Sequence, residues 1–106
     1  MEELTPQEAL DAAQAGRAVI IDVREQHEYD TTHVEGVQLL PMSELLERVD
    51  ELPDEPLIIM CRSGRRSAQV ADYLVGNSDH TEVANLDGGI IAWAAAGLPY
   101  VGQPPS

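Results

Sequence analysis

The chain is poor in several residue types on which common folds and sites depend. Its 106 residues include no lysine, no phenylalanine and a single cysteine, Cys61. One cysteine excludes a disulfide framework within the chain and any metal site built from several cysteines. With one tryptophan and three tyrosines, the core is expected to consist mainly of isoleucine, leucine, valine and alanine. A free thiol also favours a reducing compartment.

Positive charge is scarce as well. Six arginines stand against 19 aspartates and glutamates, which gives a formal net charge of −13. Nucleic-acid phosphates are bound mainly by lysine and arginine. We therefore expect no nucleic-acid partner.

Long apolar runs are also missing. No stretch approaches the roughly 20 apolar residues that a membrane-spanning helix needs. The first residues, Met-Glu-Glu-Leu-Thr-Pro, lack the basic and apolar regions of a signal peptide. Together with the free thiol, these features predict a cytoplasmic protein without a membrane partner.

The length fits one domain, so we take residues 1–106 as a single domain with a flexible tail over residues 101–106. Short apolar runs that predict buried strands occur at residues 18–23, 36–40, 57–60 and 82–86. Thr5, Pro6 and Glu8 have the pattern of a capping box and predict a helix start. Ser43 is predicted to cap a further helix. Strands alternating with helices predict an α/β fold, with a parallel sheet covered on both faces.

The most informative segment follows the third predicted strand, at whose carboxyl end Cys61 lies. Ligands of parallel sheets bind beyond such strand ends. Arg62, Arg65 and Arg66, half of the six arginines, lie within five positions of this thiol. A thiol attacks only as a thiolate, and free cysteine titrates near about 8.5. The arginines, a turn of N–H groups around Gly64 and the start of the next helix would all favour the thiolate and bind an anion.

The sequence Cys-Arg-Ser-Gly-Arg-Arg-Ser at residues 61–67, after an apolar strand, resembles the catalytic loop of rhodanese-like sulfurtransferases. Other stretches that resemble this family are Asp22-Val23-Arg24 with residues 25–29, the turn at residues 33–37, Leu86-Asp87-Gly88-Gly89 with Trp93, and Gly97-Leu98-Pro99. The resemblance covers residues 4–100, and the motifs occur in the family's order.

The resemblance implies a rhodanese-like three-layer α/β fold, in which a parallel sheet of four or five strands has helices on both faces. It also implies ping-pong sulfur transfer. Cys61 would take a sulfane sulfur from a small anionic donor such as thiosulfate and hold it as a persulfide. A thiol or cyanide would then accept the sulfur. The resemblance implies no metal and no organic cofactor.

Carried over residue by residue, the resemblance makes Cys61 the catalytic nucleophile. The loop that would bind the substrate and the persulfide consists of Arg62, Ser63, Gly64, Arg65, Arg66 and Ser67. Among these, Arg62 and Arg65 are the candidates for contacting the charged end of the donor. Asp22 and Arg24 would be supporting residues that pair with the loop or with each other, and they fit a scaffold role better than a chemical one.

Two other functions use similar parts. Cysteine phosphatases and arsenate reductases also combine a thiolate, a loop and an arginine, but phosphatases place five residues between the cysteine and the arginine. Here Ser67 occupies that arginine position and Arg66 comes one residue too early, which favours a smaller cradle, suited to sulfur. A rhodanese-like module can also act as a sulfur relay with a partner protein, or as a partner-binding domain, and the sequence does not separate these roles.

Overall fold

Helices and strands alternate in the computed structural model, which describes residues 2–105. The helices are α1 (Pro6–Gln14), α2 (Gln26–Thr31), α3 (Leu45–Arg48), α4 (Arg65–Asn77) and α5 (Gly89–Ala95). The strands are β1 (Glu2–Leu4), β2 (Val19–Asp22), β3 (Thr32–His33), β4 (Gln38–Leu39), β5 (Leu57–Met60), β6 (Val83–Leu86) and β7 (Val101–Gly102). Short 3₁₀ turns, Met42–Glu44 and Val49–Glu51, flank α3.

Five strands form a parallel sheet in the order β1-β6-β5-β2-β4. The predicted parallel α/β architecture is therefore confirmed. β5 lies between β6 and β2, with Ile58 opposite both Ala84 and Ile20. The residue that follows β5 is thus held between the ends of two neighbouring strands. The edge strand β1, which pairs with β6, was not among the strands that the apolar runs predict.

Helices cover both faces of the sheet, as predicted. On one face, α3 and α4 pack against alternate residues of the central strands; buried side chains here include Ile21, Leu45, Ile59, Val70, Ala71 and Leu74. On the other face, α1 and α5 do the same; buried side chains here include Ala9, Ile20, Ile58, Met60, Ile90 and Trp93. The central strands β2, β5 and β6 therefore bury side chains on both sides, which explains their nearly continuous apolar sequences.

The capping prediction for α1 is confirmed. The Glu8 N–H donates to the Thr5 hydroxyl oxygen at 3.2 Å, and the Glu8 carboxylate accepts from the Thr5 N–H at 2.9 Å. The capping prediction for Ser43 is wrong. Ser43 lies inside a 3₁₀ turn that precedes α3, and its hydroxyl donates to the Glu25 carboxylate at 2.6 Å. The helix begins at Leu45, so Glu44 and not Ser43 occupies the capping position.

The expectation of a flexible tail from residue 101 is corrected for residues 101–103. Val101–Gly102 forms an antiparallel pair with Thr32–His33. The Gln103 N–H donates to the Thr31 carbonyl at 3.1 Å, and the Thr32 hydroxyl donates to the Gln103 carbonyl at 2.6 Å. β3 and the end of α2 thus give this segment hydrogen-bond partners. Ser106, at the end of the predicted tail, and Met1 lie outside the described residues.

Replacing Gly102 with alanine should break this pairing. Gly102 has φ +99°, and a Cβ there would collide with the Thr31 carbonyl oxygen. We expect Gly102→Ala to lower the free energy of unfolding by about 1–3 kcal/mol in urea denaturation. The matched control is Gly76→Ala, because Gly76 lies in α4 with open space around it; this change should raise stability by about 0.5–1 kcal/mol. Equal stabilities for Gly102→Ala and the unmodified protein would contradict the pairing.

Candidate active site

Cys61 directly follows β5 at the carboxyl edge of the sheet, as the sequence predicts. It is only 1% exposed. Its carbonyl accepts a hydrogen bond from the Ile90 N–H at 2.9 Å, which ties the residue to the first turn of α5. The sulfur therefore lies at the meeting point of β5, α4 and α5.

Hydrogen-bond donors converge on the sulfur. The Gly64 N–H donates to Cys61 Sγ at 3.1 Å, and the Ser67 hydroxyl donates to it at 3.3 Å. Burial on its own raises the pKa of the thiol, but hydrogen bonds from Ser67 and from the N–H groups of Gly64 and Ser63 outweigh it. The pKa of Cys61 therefore lies below its ordinary value. Donors that favour the charged form are the direct physical cause of such a shift.

Two glycines allow the backbone of the loop, residues 61–67, to adopt this conformation. Gly64 precedes α4 with φ +97°, a left-handed geometry that other residues rarely adopt. Gly89 has φ +60°, and a Cβ there would collide with the backbone of Arg62 and Cys61. The absence of a side chain at Gly89 lets α5 pack directly on the loop, where the Ile91 N–H donates to the Arg62 carbonyl at 3.2 Å.

Arg66 braces the loop through its side chain. Its guanidinium binds both carboxylate oxygens of Glu28, each at 2.8 Å. The hydrogen bonds from Arg66 are the main cause that lowers the pKa of Glu28 to about 2, and Glu28 in turn raises the pKa of Arg66. This pair fastens α4 to α2. Site prediction from the sequence missed Glu28, although it lies in the stretch of residues 25–29 that resembles the family.

Asp22 and Arg24 pair with each other and not with the loop. Arg24 Nη2 lies 2.9 Å from Asp22 Oδ2, and Arg24 Nε donates to Asp22 Oδ1 at 3.1 Å. Arg24 Nη2 also donates to the Thr32 carbonyl at 2.6 Å. Asp22 is fully buried and Arg24 is 3% exposed. The pair thus connects the end of β2 with β3 and lies beside the site without contacting the sulfur.

The mouth of the loop carries the side chains of Arg62, Ser63 and Arg65, which are exposed, whereas Ser67 is buried. Arg65 and Arg66 are the first two residues of α4. N–H groups at these positions have no acceptor within their own helix and favour an anion. The loop therefore combines exposed guanidinium groups with backbone donors around a sulfur.

His33 takes part in local packing away from the sulfur. Its ring stacks on Tyr29 with centroids 4.3 Å apart, and Nδ1 lies 3.2 Å from the Tyr29 carbonyl. Within residues 2–105, no group of three or more His, Cys, Asp and Glu side chains is placed to hold a metal ion. Across the same described residues, no helix has the length and apolar character that crossing a bilayer requires.

Two surface grooves lie away from the loop. One, of about 550 Å³, is lined mainly by apolar side chains of α1, β2, the segment before β4 and the segment after α5. The other, of about 760 Å³, is lined in part by the carboxylates of Glu2, Glu8, Asp11 and Glu82. Neither groove suits a small anion, since the first is apolar and the second is acidic.

Residues 5–96 match the family model of the rhodanese-like domain. The chain belongs to the rhodanese-like family. The resemblance that the sequence motifs indicate is therefore confirmed over most of the chain, and the parallel sheet with helices on both faces is the fold of this family's solved structures.

Two relatives of this chain have sulfurtransferase names. A sulfurtransferase of Allochromatium vinosum is 40% identical over 84 residues, which are 78% of each chain. The probable adenylyltransferase/sulfurtransferase MoeZ of Mycobacterium tuberculosis is 38% identical over 95 residues, covering 86% of this chain and 24% of that protein. This chain thus spans only about a quarter of the length of that relative.

A crystal structure of a thiosulfate sulfurtransferase from Pseudomonas aeruginosa matches with a TM-score of 0.84 and 31% identity, over 96% of this chain and 20% of that one. The family and the names of these relatives support a sulfurtransferase-type enzyme.

Removing Arg24, the ion-pair partner of Asp22, should destabilise the fold, because Asp22 is fully buried. We expect Arg24→Gln to lower the free energy of unfolding by about 3–5 kcal/mol, since the carboxylate is left without its ion pair. The control is Arg48→Gln. Arg48 also forms ion pairs, with Glu44 and Glu51, but on the surface, where such pairs contribute little. Urea denaturation measures both, and an equally small effect of the two substitutions would contradict the structural role of the buried pair.

Proposed function

We propose that this protein is a sulfurtransferase of the thiosulfate type, which moves a sulfane sulfur to a thiol or cyanide through a persulfide on Cys61. The observation that carries the proposal is the set of donors around the sulfur, above all the Gly64 N–H and the Ser67 hydroxyl. These donors favour the thiolate that nucleophilic attack requires.

The proposed reaction has two steps. In the first, the Cys61 thiolate attacks the sulfane sulfur of thiosulfate; a new S–S bond forms, the S–S bond of thiosulfate breaks, and sulfite leaves with the electron pair. In the second, cyanide or a thiolate attacks the outer sulfur of the persulfide, and the Cys61 thiolate leaves with the electron pair. Atoms and electrons balance without a metal or an organic cofactor.

The loop supports both steps electrostatically. A persulfide carries its negative charge on the outer sulfur, one S–S bond further from the backbone of Cys61. The N–H groups of Arg65 and Arg66, at the start of α4, have no acceptor within their own helix and would stabilise that charge. The exposed guanidinium groups of Arg62 and Arg65 would bind the sulfonate end of the donor. Ser63 contributes a further N–H beside the sulfur.

Phosphatase activity is less compatible with this site. The position where a phosphatase would have its arginine holds Ser67, whose hydroxyl binds Cys61 Sγ. The preceding Arg66 is bound to both carboxylate oxygens of Glu28, so its guanidinium is not turned into the loop. A phosphate or arsenate bonded to Cys61 would therefore lack the arginine that a phosphatase places at the end of its loop.

A sulfur relay is a second candidate function. It is favoured by the match to the Mycobacterium tuberculosis protein, in which a similar segment makes up 24% of a longer chain. In a relay, a partner protein would load Cys61 in place of thiosulfate. We propose the cytoplasm as the compartment for either role, because the only cysteine is a free thiol and a reducing environment keeps it available.

The persulfide is tested by intact-protein mass spectrometry after incubation with thiosulfate, before and after addition of cyanide. We expect a gain of one sulfur atom that cyanide removes, because Cys61 is the only thiol in the chain. Cys61→Ser is the control and should fold normally but gain no sulfur. If the protein gains no sulfur although Cys61 reacts with iodoacetamide, thiosulfate is not its donor and the relay function is favoured. A gain that persists in Cys61→Ser would contradict the nucleophile assignment.

Arg65→Ala tests donor binding. If Arg65 holds the sulfonate, its loss should raise the thiosulfate KM about tenfold and change kcat by less than about twofold, which is the pattern of lost binding. Arg17→Ala is the matched control, since Arg17 is also exposed but precedes β2 at the opposite edge of the sheet. Steady-state kinetics measures both variants. An unchanged KM in Arg65→Ala, or an equal rise in Arg17→Ala, would remove Arg65 from the donor site.

A further inference from the structure

A polar residue, Asn85, lies inside the buried strand β6 and points toward the loop. It is 3% exposed, and its strand neighbours Val83, Ala84 and Leu86 are all apolar and buried. The Asn85 amide Nδ2 donates to the Gly64 carbonyl at 3.1 Å. Asn85 is therefore in direct contact with the residue whose N–H binds the sulfur.

The orientation of the Asn85 amide is determined by its surroundings. Nδ2 also donates to the carboxylate of Glu3 on β1, at 3.0 Å and 3.3 Å to the two oxygens. The Gly64 carbonyl and the Glu3 carboxylate are both acceptors, so the NH₂ group must face them. Asn85 Oδ1 is buried and has no hydrogen-bond partner among the described residues. A buried polar atom left without a partner is unfavourable, and its presence calls for a compensating role of the side chain.

The bond to Gly64 fixes a peptide group at the start of α4. The Gly64 carbonyl accepts from the Ala68 N–H, at 3.2 Å, as well as from Asn85. In a trans peptide the C=O and the following N–H point in opposite directions. A carbonyl held toward Asn85 and the body of α4 therefore turns the Arg65 N–H toward the open end of the helix. On its other side, Gly64 donates its own N–H to Cys61 Sγ.

We propose that Asn85 is a positioning residue of the sulfur cradle. By binding the Gly64 carbonyl it fixes the conformation of Gly64, so that the Gly64 N–H, which belongs to the preceding peptide, binds the Cys61 sulfur and the Arg65 N–H faces the site of the outer persulfide sulfur. Asn85 acts through Gly64 and does not touch the reacting atoms. The inference deepens the proposed function and rests on it. The charged groups near the sulfur are Arg62 and Arg65 of the loop, Arg66 with Glu28, and Asp22 with Arg24. None of them lies on β6, and all are retained when Asn85 is changed.

The test compares Asn85→Leu and Asn85→Ala with Glu3→Ala. Leucine has a similar size and removes both the donors and the unpaired oxygen, so Asn85→Leu should fold even if Asn85→Ala does not. Glu3→Ala removes the other partner of the amide but leaves its bond to Gly64. For each variant, the pH dependence of Cys61 alkylation by iodoacetamide reports the thiolate pKa, and urea denaturation reports stability.

We expect the alkylation midpoint to rise by about 0.5–1 pH unit in the Asn85 variants, because the sulfur loses a well-placed donor. Ser67→Ala, which removes a direct donor, should shift it in the same direction. In Glu3→Ala the midpoint should stay within about 0.2 unit of the unmodified protein. Thiosulfate turnover should fall in the Asn85 variants by about tenfold, with kcat affected more than KM.

An unchanged midpoint in a folded Asn85 variant would overturn the proposal and leave Asn85 a structural residue of β6. An equal shift in Glu3→Ala would also overturn it, because the effect would then come from the attachment of β1. The proposed function fails separately: if the unmodified protein takes no sulfur from thiosulfate but the Asn85 variants still shift the midpoint, Asn85 positions the loop of a protein with another sulfur donor.

Discussion

A buried sulfur can carry negative charge only if hydrogen-bond donors replace the water that burial removes, and the carboxyl edge of this structure is arranged around that requirement. Cys61 lies in the core cluster between the sheet and α4, where burial alone would keep it a neutral thiol. Its donors come mostly from the backbone, so the loop must adopt one particular conformation. Gly64 provides the left-handed turn, and Gly89 allows α5 to support the loop from behind. The parallel sheet contributes by holding the end of β5 between the ends of β2 and β6.

The distribution of charge follows from the same requirement. In a chain with a net charge of −13, the three arginines Arg24, Arg48 and Arg66 form ion pairs with carboxylates. Two further arginines, Arg62 and Arg65, are exposed at the mouth of the loop. An anion that approaches the surface meets carboxylates over most of it and guanidinium groups beside the sulfur. Potential differences of this kind favour a small anion at one place and disfavour it elsewhere.

Much of the fold and the position of the site could be predicted from the sequence, because the signals are local. Apolar runs predict the central strands, and the glycine, hydroxyl and arginine residues after Cys61 predict an anion site. The remainder depends on contacts between distant segments. The strand Glu2–Leu4 has only one apolar residue and forms because β6 offers an edge. The pairing of residues 101–103 with β3 includes a hydrogen bond between residues 71 positions apart. Asn85 is visible in the sequence as a polar residue in an apolar run, but its partner Gly64 lies 21 positions away.

The central claim is that the loop stabilises the Cys61 thiolate, and the most direct measurement is the rate of iodoacetamide alkylation as a function of pH, in the folded protein and in urea. The single cysteine makes the signal specific, and the urea-unfolded chain supplies the reference, near the ordinary cysteine value of about 8.5. The account predicts a midpoint in the folded protein clearly below that of the unfolded chain. A folded-state midpoint equal to or above the unfolded one would mean that burial outweighs the donors, and would contradict the account.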